Sequence, residues 1–218
     1  MTIIHHHPDI STLMSYAAGS LSDSMSLVIS CHLEHCSDCR QRRASAESLG
    51  SSLVEECSPV SMSTGARDDI LQMLNIQPHQ SSAAPIPKPP KHGEVPSALQ
   101  RLLGHAEFDQ LEWKTLAPGM KQVALPSAEG KLKLLKIAPG TCLPSHGHSG
   151  TELTLVLKGS YTDECGRFQA GDLEDLDPDT KHQPVADTHE ACICLIATDA
   201  PLKFEGLVPR LLQPFFGL

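Results

Sequence analysis

The spacing of apolar residues divides the chain into a helical part and a strand-forming part. Over positions 1–77, apolar side chains recur every three or four residues, which is typical of amphipathic helices. Asp9, and either Ser22 or Asp23, stand where N-caps are expected, because their side chains can accept hydrogen bonds from free backbone N–H groups. We predict helices over residues 9–19, 23–36, 40–56 and 66–76.

The helix predicted over 66–76 is short and its apolar stripe is narrow. Ile70, Met73 and Leu74 form that stripe. Because a helix of this length is marginal in water by itself, it needs a surface to dock on. The surface belongs either to a partner protein or to the three preceding helices, and the sequence leaves both possibilities open.

A proline-rich stretch follows the helical part. Residues 78–96 hold six of the 17 prolines and almost no large apolar side chain. This composition indicates a semi-extended linker. We therefore predict a helical domain over 1–77, a linker over 78–96 and a second domain over 97–218.

Beyond a short helix predicted over 97–103, the pattern changes to a period of two. We predict strands over the segments that alternate in this way, which are 111–116, 121–125, 132–138, 152–158, 167–170, 172–176 and 191–197. Many short strands at regular spacing indicate an antiparallel barrel or sandwich. Both faces of the segment 192–196 are apolar, so we expect a central strand in which Cys192 and Cys194 are core residues rather than ligands. The predicted class is α+β, with an all-α domain before an all-β domain.

The formal net charge of −9 disfavours direct binding of nucleic acid, because contact with phosphate requires a positive surface. An acidic protein is better suited to a basic protein partner. No stretch reaches the roughly 18 apolar residues of a membrane span, and the N-terminus lacks the pattern of a signal peptide. We expect a cytoplasmic protein whose eight cysteines stay reduced, so metal binding or packing must account for them.

Soft metal ligands are concentrated where the second predicted helix ends. On a helix each residue advances by about 100°, so His32, Cys36 and Cys39 fall within an arc of roughly 60°. His35 would widen that arc to about 100°, and we expect it to be solvated. A closed zinc site takes four sulfur or nitrogen ligands, and the run His5-His6-His7 is the obvious source of the fourth.

Two other interpretations of these residues are weaker. A Cys-x-x-Cys pair can be a redox pair, but that motif normally lies at a strand-to-helix turn, and no strand pattern precedes Cys36. Three adjacent histidines resemble part of an expression tag, but three are too few for an ordinary tag. The zinc interpretation is therefore favoured.

A second group of ligands lies in the strand-forming part. His146 and His148 are two residues apart on an extended chain and so project to the same side, and Glu152 opens the next strand where it can turn back toward them. This donor set suits several divalent metals, so zinc, iron, manganese and nickel all remain open. We find no base or nucleophile pair beyond these ligands that specifies a reaction.

This stretch resembles the first cupin motif at all of its fixed positions, which are Gly140, His146, His148, Glu152 and Gly159. The second cupin motif is degenerate: Gly171 is present, but Pro178 is displaced by one residue, and Asp179 and Ala186 replace the usual residues. His182 keeps the usual distance from Gly171, and the resemblance therefore implies that it is the fourth ligand. The alternative, His189, is expected to be an exposed loop residue.

A His-x-x-x-Cys-x-x-Cys segment behind an N-terminal histidine, joined through a proline-rich linker to a cupin, resembles the ChrR class of zinc-binding anti-sigma factors. The resemblance extends to both ends of the chain and includes Tyr16-Ala-Ala-Gly19, Glu152-Leu-Thr-Leu-Val-Leu157 and Gln213-Pro-Phe-Phe216. It implies a helical anti-sigma domain and a C-terminal double-stranded β-helix.

The resemblance also implies a function and a set of ligands. The helical domain would wrap one group IV (extracytoplasmic function, or ECF, sigma-E-like) sigma factor in a 1:1 complex and keep it off RNA polymerase, without direct contact to nucleic acid. Zinc would be held by His7, His32, Cys36 and Cys39, and zinc or another divalent metal by His146, His148, Glu152 and His182. Singlet oxygen or organic hydroperoxides, sensed with help of the cupin, would release the sigma factor.

The competing hypothesis is an enzyme, namely a metal-dependent cupin dioxygenase or isomerase with a helical appendage. A zinc-thiolate domain and a long linker are superfluous for an enzyme with one pocket, so the sequence favours a regulator without catalytic activity. For release, an oxidant could attack Cys36 or Cys39 and eject zinc, whereas chemistry at the cupin would have to cross the linker.

Overall fold

The computed structural model describes residues 3–75, 95–104, 107–200 and 202–204. Most of the linker predicted over 78–96, and the C-terminal motif at 213–216, lie outside the described residues. The domain boundaries at 77 and 97 therefore stay predictions.

The described helices agree with the predicted ones to within a few residues. They are α1 (Ile10–Ala17), α2 (Asp23–His35), α3 (Ser37–Glu55), α4 (Ala66–Asn75) and α5 (Ser97–Leu103). Asp9 caps α1 by accepting from the N–H of Ile10, and Ser22 caps α2 by accepting from the N–H of Met25, as predicted. None of these helices combines the length and the apolar character that crossing a membrane requires.

The strands of the described residues form three antiparallel sheets. They are β1 (Lys114–Ala117), β2 (Met120–Leu125), β3 (Lys131–Ile137), β4 (His146–His148), β5 (Glu152–Lys158), β6 (Ser160–Thr162), β7 (Arg167–Gln169), β8 (Leu173–Leu176), β9 (Lys181–His182), β10 (Val185–Ala186), β11 (Cys192–Thr198) and β12 (Leu202–Phe204). The large sheet has the order β1-β2-β3-β11-β5-β8, and the two small ones are β10-β6-β7 and β12-β4-β9. The α+β class, with helices before strands, is thus confirmed.

The large sheet has one face toward the helices and one toward the interior of the barrel. On β3, Leu132 and Leu134 pack in the cluster that contains the helices, whereas Leu135 and Ile137 pack in the cluster inside the barrel. The central strand β11 lies between β3 and β5, and all seven of its residues are buried. This confirms the expectation for β11, whose two cysteines are core residues.

The helices and the barrel share one hydrophobic core. Leu13 of α1, Val28 and Ile29 of α2 and Leu99 of α5 belong to the same buried cluster as Leu195 of β11. Helix α2 packs across β5 and β11. The helical part is therefore packed directly against the sheet, in addition to any covalent connection through the linker.

Helix α4 keeps its apolar stripe uncovered. The side chains of Ile70, Met73 and Leu74 are all exposed, and Leu74 has 74% of its surface accessible. The possibility that this stripe packs on the preceding helices is therefore excluded for the described part of the chain. The other possibility left open by the sequence, docking on a partner, remains.

Five strands were not predicted from the pattern: β4, β6, β9, β10 and β12. Each has only two or three residues, which is too short for an alternation of apolar and polar positions to be recognised. Strand β4 consists of His146, Gly147 and His148, all buried, so it carries no apolar–polar alternation at all. Its partner β9 contains His182, and the pairing of His146 with His182 brings two candidate ligands together.

Two candidate metal centres

Four side chains of the helical part converge on one point, and we call them the helical centre: His7, His32, Cys36 and Cys39. One ligand atom from each lies within 4.8 Å of the other three. His7 Nδ1 is 3.4 Å from Cys36 Sγ and 3.3 Å from Cys39 Sγ, and His32 Nε2 is 3.3 Å from Cys39 Sγ. Tetrahedral zinc places a nitrogen and a sulfur ligand roughly 3.6 Å apart, so the donor spacing fits a metal ion.

A corner in the backbone, rather than a continuous helix, assembles this centre. Helix α2 ends at His35 and α3 begins at Ser37, while Cys36 between them is extended, with φ −99° and ψ 106°. The arc calculated for an unbroken helix through Cys36 is therefore wrong, although the residues it selected do converge. His32 comes from the last turn of α2 and Cys39 from the first turn of α3, and the N–H of Cys39 donates to Cys36 Sγ at 3.3 Å.

The neighbouring histidines lie elsewhere. His35 is exposed, as predicted. His5 is exposed, and the ring of His6 packs against Phe168 with 4.2 Å between centroids. Of the N-terminal histidine run, only His7 reaches the cysteines.

Burial keeps His32 of this centre neutral and makes a bare thiolate costly, and both conditions suit a bound cation. Desolvation lowers the pKa of His32 to about 4, so its imidazole is neutral at pH 7. Its Nδ1 lies 3.0 Å from the carbonyl oxygen of Gly171, so Nδ1–H donates there and Nε2 keeps a lone pair directed at Cys39. Desolvation and the neighbouring Cys36 raise the pKa of Cys39 to about 12. A thiolate is costly here unless a cation balances it, which is the condition a bound metal meets.

An N-terminal strap, residues 4–9, carries His7 to the cysteines along the edge of the barrel. The buried carboxylate of Asp172 accepts from the N–H of His5 at 2.7 Å and from the N–H of His6 at 3.1 Å. The N–H of Leu173 donates to the carbonyl oxygen of His6 at 3.2 Å. The position of His7 therefore depends on the barrel as well as on the helices.

The end of the strap is fixed by a second carboxylate, that of Asp175 on β8. Asp175 Oδ2 accepts from the N–H of Asp9 at 3.0 Å and from the hydroxyl of Thr12 at 2.7 Å. Close to the start of the strand, Gly171 has φ +98°, and an added Cβ would approach the side chain of Ile4 to 3.1 Å. A side chain at position 171 would thus be strained and would press on the strap.

The second group, which we call the barrel centre, comprises His146, His148, Glu152 and His182. All four are buried, and their ligand atoms lie within 4.8 Å of one another. His146 Nε2 and His182 Nε2 are 3.0 Å apart, and His148 Nδ1 is 3.7 Å from Glu152 Oε2. The donors come from β4, β5 and β9, which the barrel brings to one end of its interior.

Outer hydrogen bonds orient two of these imidazoles toward the common point. His146 Nδ1 lies 2.9 Å from the carbonyl oxygen of Pro144, and His182 Nδ1 lies 2.8 Å from Asp163 Oδ2. Each Nδ1–H therefore donates outward and leaves Nε2 to face the other ligands, as metal-binding histidines do. The sequence carried no signal for Asp163, because nothing local relates it to His182.

His148 provides the observation that tests the fit of a metal ion most directly. The residue is 2% exposed, yet neither ring nitrogen has a hydrogen-bond partner among the described residues. Burying an unpartnered polar group is costly, and a divalent cation held with His146 and Glu152 would satisfy it. The donor set of three imidazoles and one carboxylate fits a divalent metal, although it does not select one.

Charges around the barrel centre follow from burial and from the outer carboxylates. Burial lowers the pKa of His146 to about 4 and also lowers that of His148. Burial acts in the same direction on His182, but hydrogen bonds to Asp163 and Glu174 outweigh it and raise its pKa to about 10. The acidic pair thus makes His182 the most basic of the three imidazoles, which strengthens it as a ligand once a cation replaces the proton on Nε2.

The barrel centre adjoins a cavity of about 60 Å³ in the interior of the barrel. His146, Glu152 and His182 form part of its wall, and most of the remainder is apolar. The helical centre is different, because its four donors enclose the common point. Chemically, the barrel centre can hold an ion that also binds a small molecule, whereas the helical centre can only hold an ion.

Residues 171–175, at and before β8, contact both centres. The carbonyl oxygen of Gly171 accepts from His32 of the helical centre, and Asp172 and Asp175 hold the strap. Between these two, Glu174 turns into the barrel, where its Oε1 lies 3.6 Å from His182 Nδ1. Within β8 successive side chains point to opposite faces, so Glu174 faces the barrel and Asp175 the strap, while Gly171 and Asp172 make their contacts just before the strand begins.

Comparison with known proteins identifies the family. The model of the ChrR cupin-like domain matches residues 104–201. The chain is 42% identical to the anti-sigma-E factor ChrR of Cereibacter sphaeroides over 219 aligned residues, which cover 100% of both chains. It also resembles the crystal structure of Rhodobacter sphaeroides SigE in complex with the anti-sigma ChrR, with a TM-score of 0.76, 38% identity and coverage of 90% of this chain and 100% of that one. This chain therefore belongs to the ChrR family of anti-sigma factors.

Proposed function

We propose that this protein is an anti-sigma factor that binds one ECF sigma factor through its helical part and keeps it from RNA polymerase. The observation that carries the proposal is a series of exposed apolar side chains between the second half of α3 and the end of α4, in a chain similar over its full length to an anti-sigma-E factor. A relative was crystallised in complex with its SigE, which supports a sigma factor as the partner here. Because it would act on a component of RNA polymerase, we place the protein in the cytoplasm.

The surface that would contact the sigma factor extends from the second half of α3 to α4. We call it the apolar face, and it comprises Leu49, Leu53, Val54, Val60, Met62, Ile70, Leu71, Met73 and Leu74. Between 42% and 89% of each of these side chains is exposed. Isolated exposed apolar residues are ordinary, but so many within 26 consecutive positions are typical of an interaction site. The net charge of −9 favours a basic partner.

The helical centre would give this surface its shape. Its ligands come from the strap, from α2, from the corner at Cys36 and from α3, so one ion would fix the direction of α3 relative to the rest. We propose zinc, because two thiolates and two imidazoles in a closed tetrahedral set are its usual structural ligands. Metal binding and folding would be coupled here, since an unfolded chain offers no assembled site.

The barrel centre would contribute to release. We propose that it holds a divalent ion, with zinc as the first choice and iron, manganese or nickel as alternatives, and that singlet oxygen or an organic hydroperoxide acts there. A change at His182 can reach the helical centre through Glu174, Asp172 and the strap, so the signal need not pass along the linker. Loss of the contacts of the strap would move His7 and loosen the zinc site.

A second candidate function is supported by the cavity beside the barrel centre. A metal-dependent dioxygenase or isomerase would use such a cavity for a small substrate. It would lose turnover in His146→Ala and be nearly unaffected by Cys36→Ser. For a regulator, Cys36→Ser should instead abolish sigma binding, and His146→Ala should leave it nearly unaffected. These two variants therefore distinguish the candidates.

The experiment that tests the proposal is co-expression with a sigma factor encoded beside this protein, followed by co-purification and metal analysis. Wild type is expected to form a 1:1 complex that contains zinc. Cys36→Ser is expected to lose zinc and to abolish the complex, whereas the matched control Cys142→Ser, at an exposed thiol of the barrel part outside both centres, should retain both. Tight binding of the sigma factor by the zinc-free variant would contradict the proposal.

A further inference from the structure

Among the described residues, the wall of the barrel cavity includes one cationic side chain besides the metal ligands, that of Lys133. Lys133 lies on β3 between Leu132 and Leu134, which face the helices, so it points to the other side, into the barrel. Its side chain lines the cavity together with His146 and Glu152. An inward lysine among leucines and isoleucines is unusual, because buried charges are costly unless something balances them.

No protein group balances this charge completely. Among the described residues, no carboxylate oxygen forms an ion pair with the ammonium of Lys133, and Glu152 acts on it only at a longer distance. Desolvation lowers the pKa of Lys133 to about 8, and the charge of Glu152 opposes that effect. The amine is therefore still mainly protonated at pH 7.

A divalent ion in the barrel centre would leave the ammonium of Lys133 without a partner of its own. Glu152 would be bound to the ion, and the other two carboxylates lie at His182 Nδ1, with Asp163 Oδ2 at 2.8 Å and Glu174 Oε1 at 3.6 Å. A small anion bound beside the metal would pair with Lys133.

The walls of the cavity define what kind of anion fits. Most of the side chains around Lys133 are apolar: Leu116, Met120, Leu135, Ile137, Leu143 and Ile196. A volume of about 60 Å³ is several times the 10–15 Å³ or so that one water requires by the same measure, so a chain of a few carbon atoms can enter. Inorganic phosphate or sulfate would leave its outer oxygens against hydrocarbon, without hydrogen bonds.

We propose that the barrel cavity is a binding site for a short-chain aliphatic carboxylate, whose head group lies between the metal of the barrel centre and Lys133 and whose hydrocarbon chain contacts the apolar wall. The inference rests on the metal proposed for the barrel centre and is independent of sigma binding. The protein would thereby recognise a small amphipathic monoanion as well as hold a metal.

The test is calorimetric titration of the full-length, zinc-loaded protein with sodium butyrate, with zinc content measured on the same samples. Butyramide, which has the same shape without the charge, and inorganic phosphate serve as comparison ligands. Lys133→Met is the informative variant. Lys136→Met is its matched control, because Lys136 lies on the same strand but contacts Trp113 and Asp109 outside the barrel.

Butyrate is expected to bind to wild type and to Lys136→Met with equal affinity, and butyramide and phosphate to bind at least about tenfold more weakly. Lys133→Met should bind butyrate about 30-fold more weakly while it keeps its zinc, because it loses a charge partner but no metal ligand. Thermal unfolding of this variant, expected to match or exceed that of wild type, verifies that it folds.

Two results would overturn the inference. If wild type retains zinc at the barrel centre but butyrate does not bind, or binds equally to Lys133→Met, the carboxylate site does not exist. If the barrel centre of wild type holds no divalent metal at all, the metal proposal and this inference both fail. Sigma binding measured on the same preparation tests the proposed anti-sigma function separately, whichever of these results is found.

Discussion

The two metal centres differ in their ligands and in their surroundings, and the difference indicates different tasks. The helical centre uses two sulfurs and two nitrogens that close around one point at a backbone corner. The barrel centre uses three imidazoles and a carboxylate on the wall of a cavity. A closed thiolate site is suited to holding secondary structure in place, whereas an ion beside a cavity can meet a small molecule.

The comparison predicts the largest effects for substitutions of the ligands. His32→Ala should remove the metal of the helical centre and reduce sigma binding at least about 100-fold, because α2 and α3 lose their common fixed point. His148→Ala should remove the metal of the barrel centre, leave sigma binding within about threefold of wild type and prevent release by oxidant. Elemental analysis and sigma titration of both variants test this.

If either substitution alone removed the metal from both centres, the centres would be one cooperative unit. The contrast drawn above between a shaping site and a sensing site would then be wrong. His35→Ala is the control for His32→Ala, because His35 is a histidine of the same helix that is exposed and outside the cluster.

The connection between the centres predicts the next effect. Asp172→Ala removes a buried carboxylate that accepts from the N–H groups of His5, His6 and Gln169, which should cost about 3 kcal/mol of folding stability. The zinc affinity of the helical centre should fall about 10-fold, although no ligand has changed, because the strap that carries His7 is released. Chelator competition and chemical denaturation measure the two quantities.

The exposed Asp179→Ala is the control for this substitution. It should change neither quantity, since Asp179 lies in a turn away from the strap. Unchanged zinc affinity in Asp172→Ala would mean that the strap does not position His7, and the proposed route between the centres would lose its basis.

A smaller effect is predicted for the substitution of a residue that borders the barrel centre without being a ligand. Asp163→Asn keeps the shape of the residue but weakens the charge-assisted hydrogen bond to His182 Nδ1. We expect about a 10-fold loss of metal affinity at the barrel centre and none at the helical centre, as measured by competition with a chelator. Glu190→Gln, in an exposed loop, provides the control. Equal losses at both centres would argue against a local role of Asp163.

The smallest effect on stability is predicted for the apolar face. Leu74→Ser should leave metal content and unfolding free energy within about 0.5 kcal/mol of wild type, because this side chain is already exposed. Binding of the sigma factor should nevertheless weaken by at least about fivefold, since a buried contact in the complex is lost. Unaltered affinity would place the interface elsewhere on the helices.

The sequence predicted those features that depend on local periodicity. The helices and the long strands, including β5 and β11, follow from spacing alone, because one buried face imposes a period of 3.6 or 2. The ligand residues were identified because histidine and cysteine at short spacing are few and chemically distinctive. The choice of His7 and His182 came from resemblance, since long-range partners leave no local pattern.

Other features could not be predicted because they arise from contacts distant in sequence. The corner at Cys36 replaces a continuous helix, and no proline or glycine announces it. Asp172 holds the strap across more than 160 positions, and Asp163 meets His182 only after the barrel has closed. The packing of α2 on the large sheet was also hidden, because a proline-rich linker suggested two domains joined only by a tether.

The most direct test of the account compares sigma affinity with and without an intact helical centre while the barrel centre stays occupied. Full-length wild type and Cys39→Ser, both with the metal content of each centre determined, are titrated with the purified sigma factor. The account predicts that Cys39→Ser lacks zinc only at the helical centre and binds at least about 100-fold more weakly. Binding of equal strength by the two proteins would contradict it.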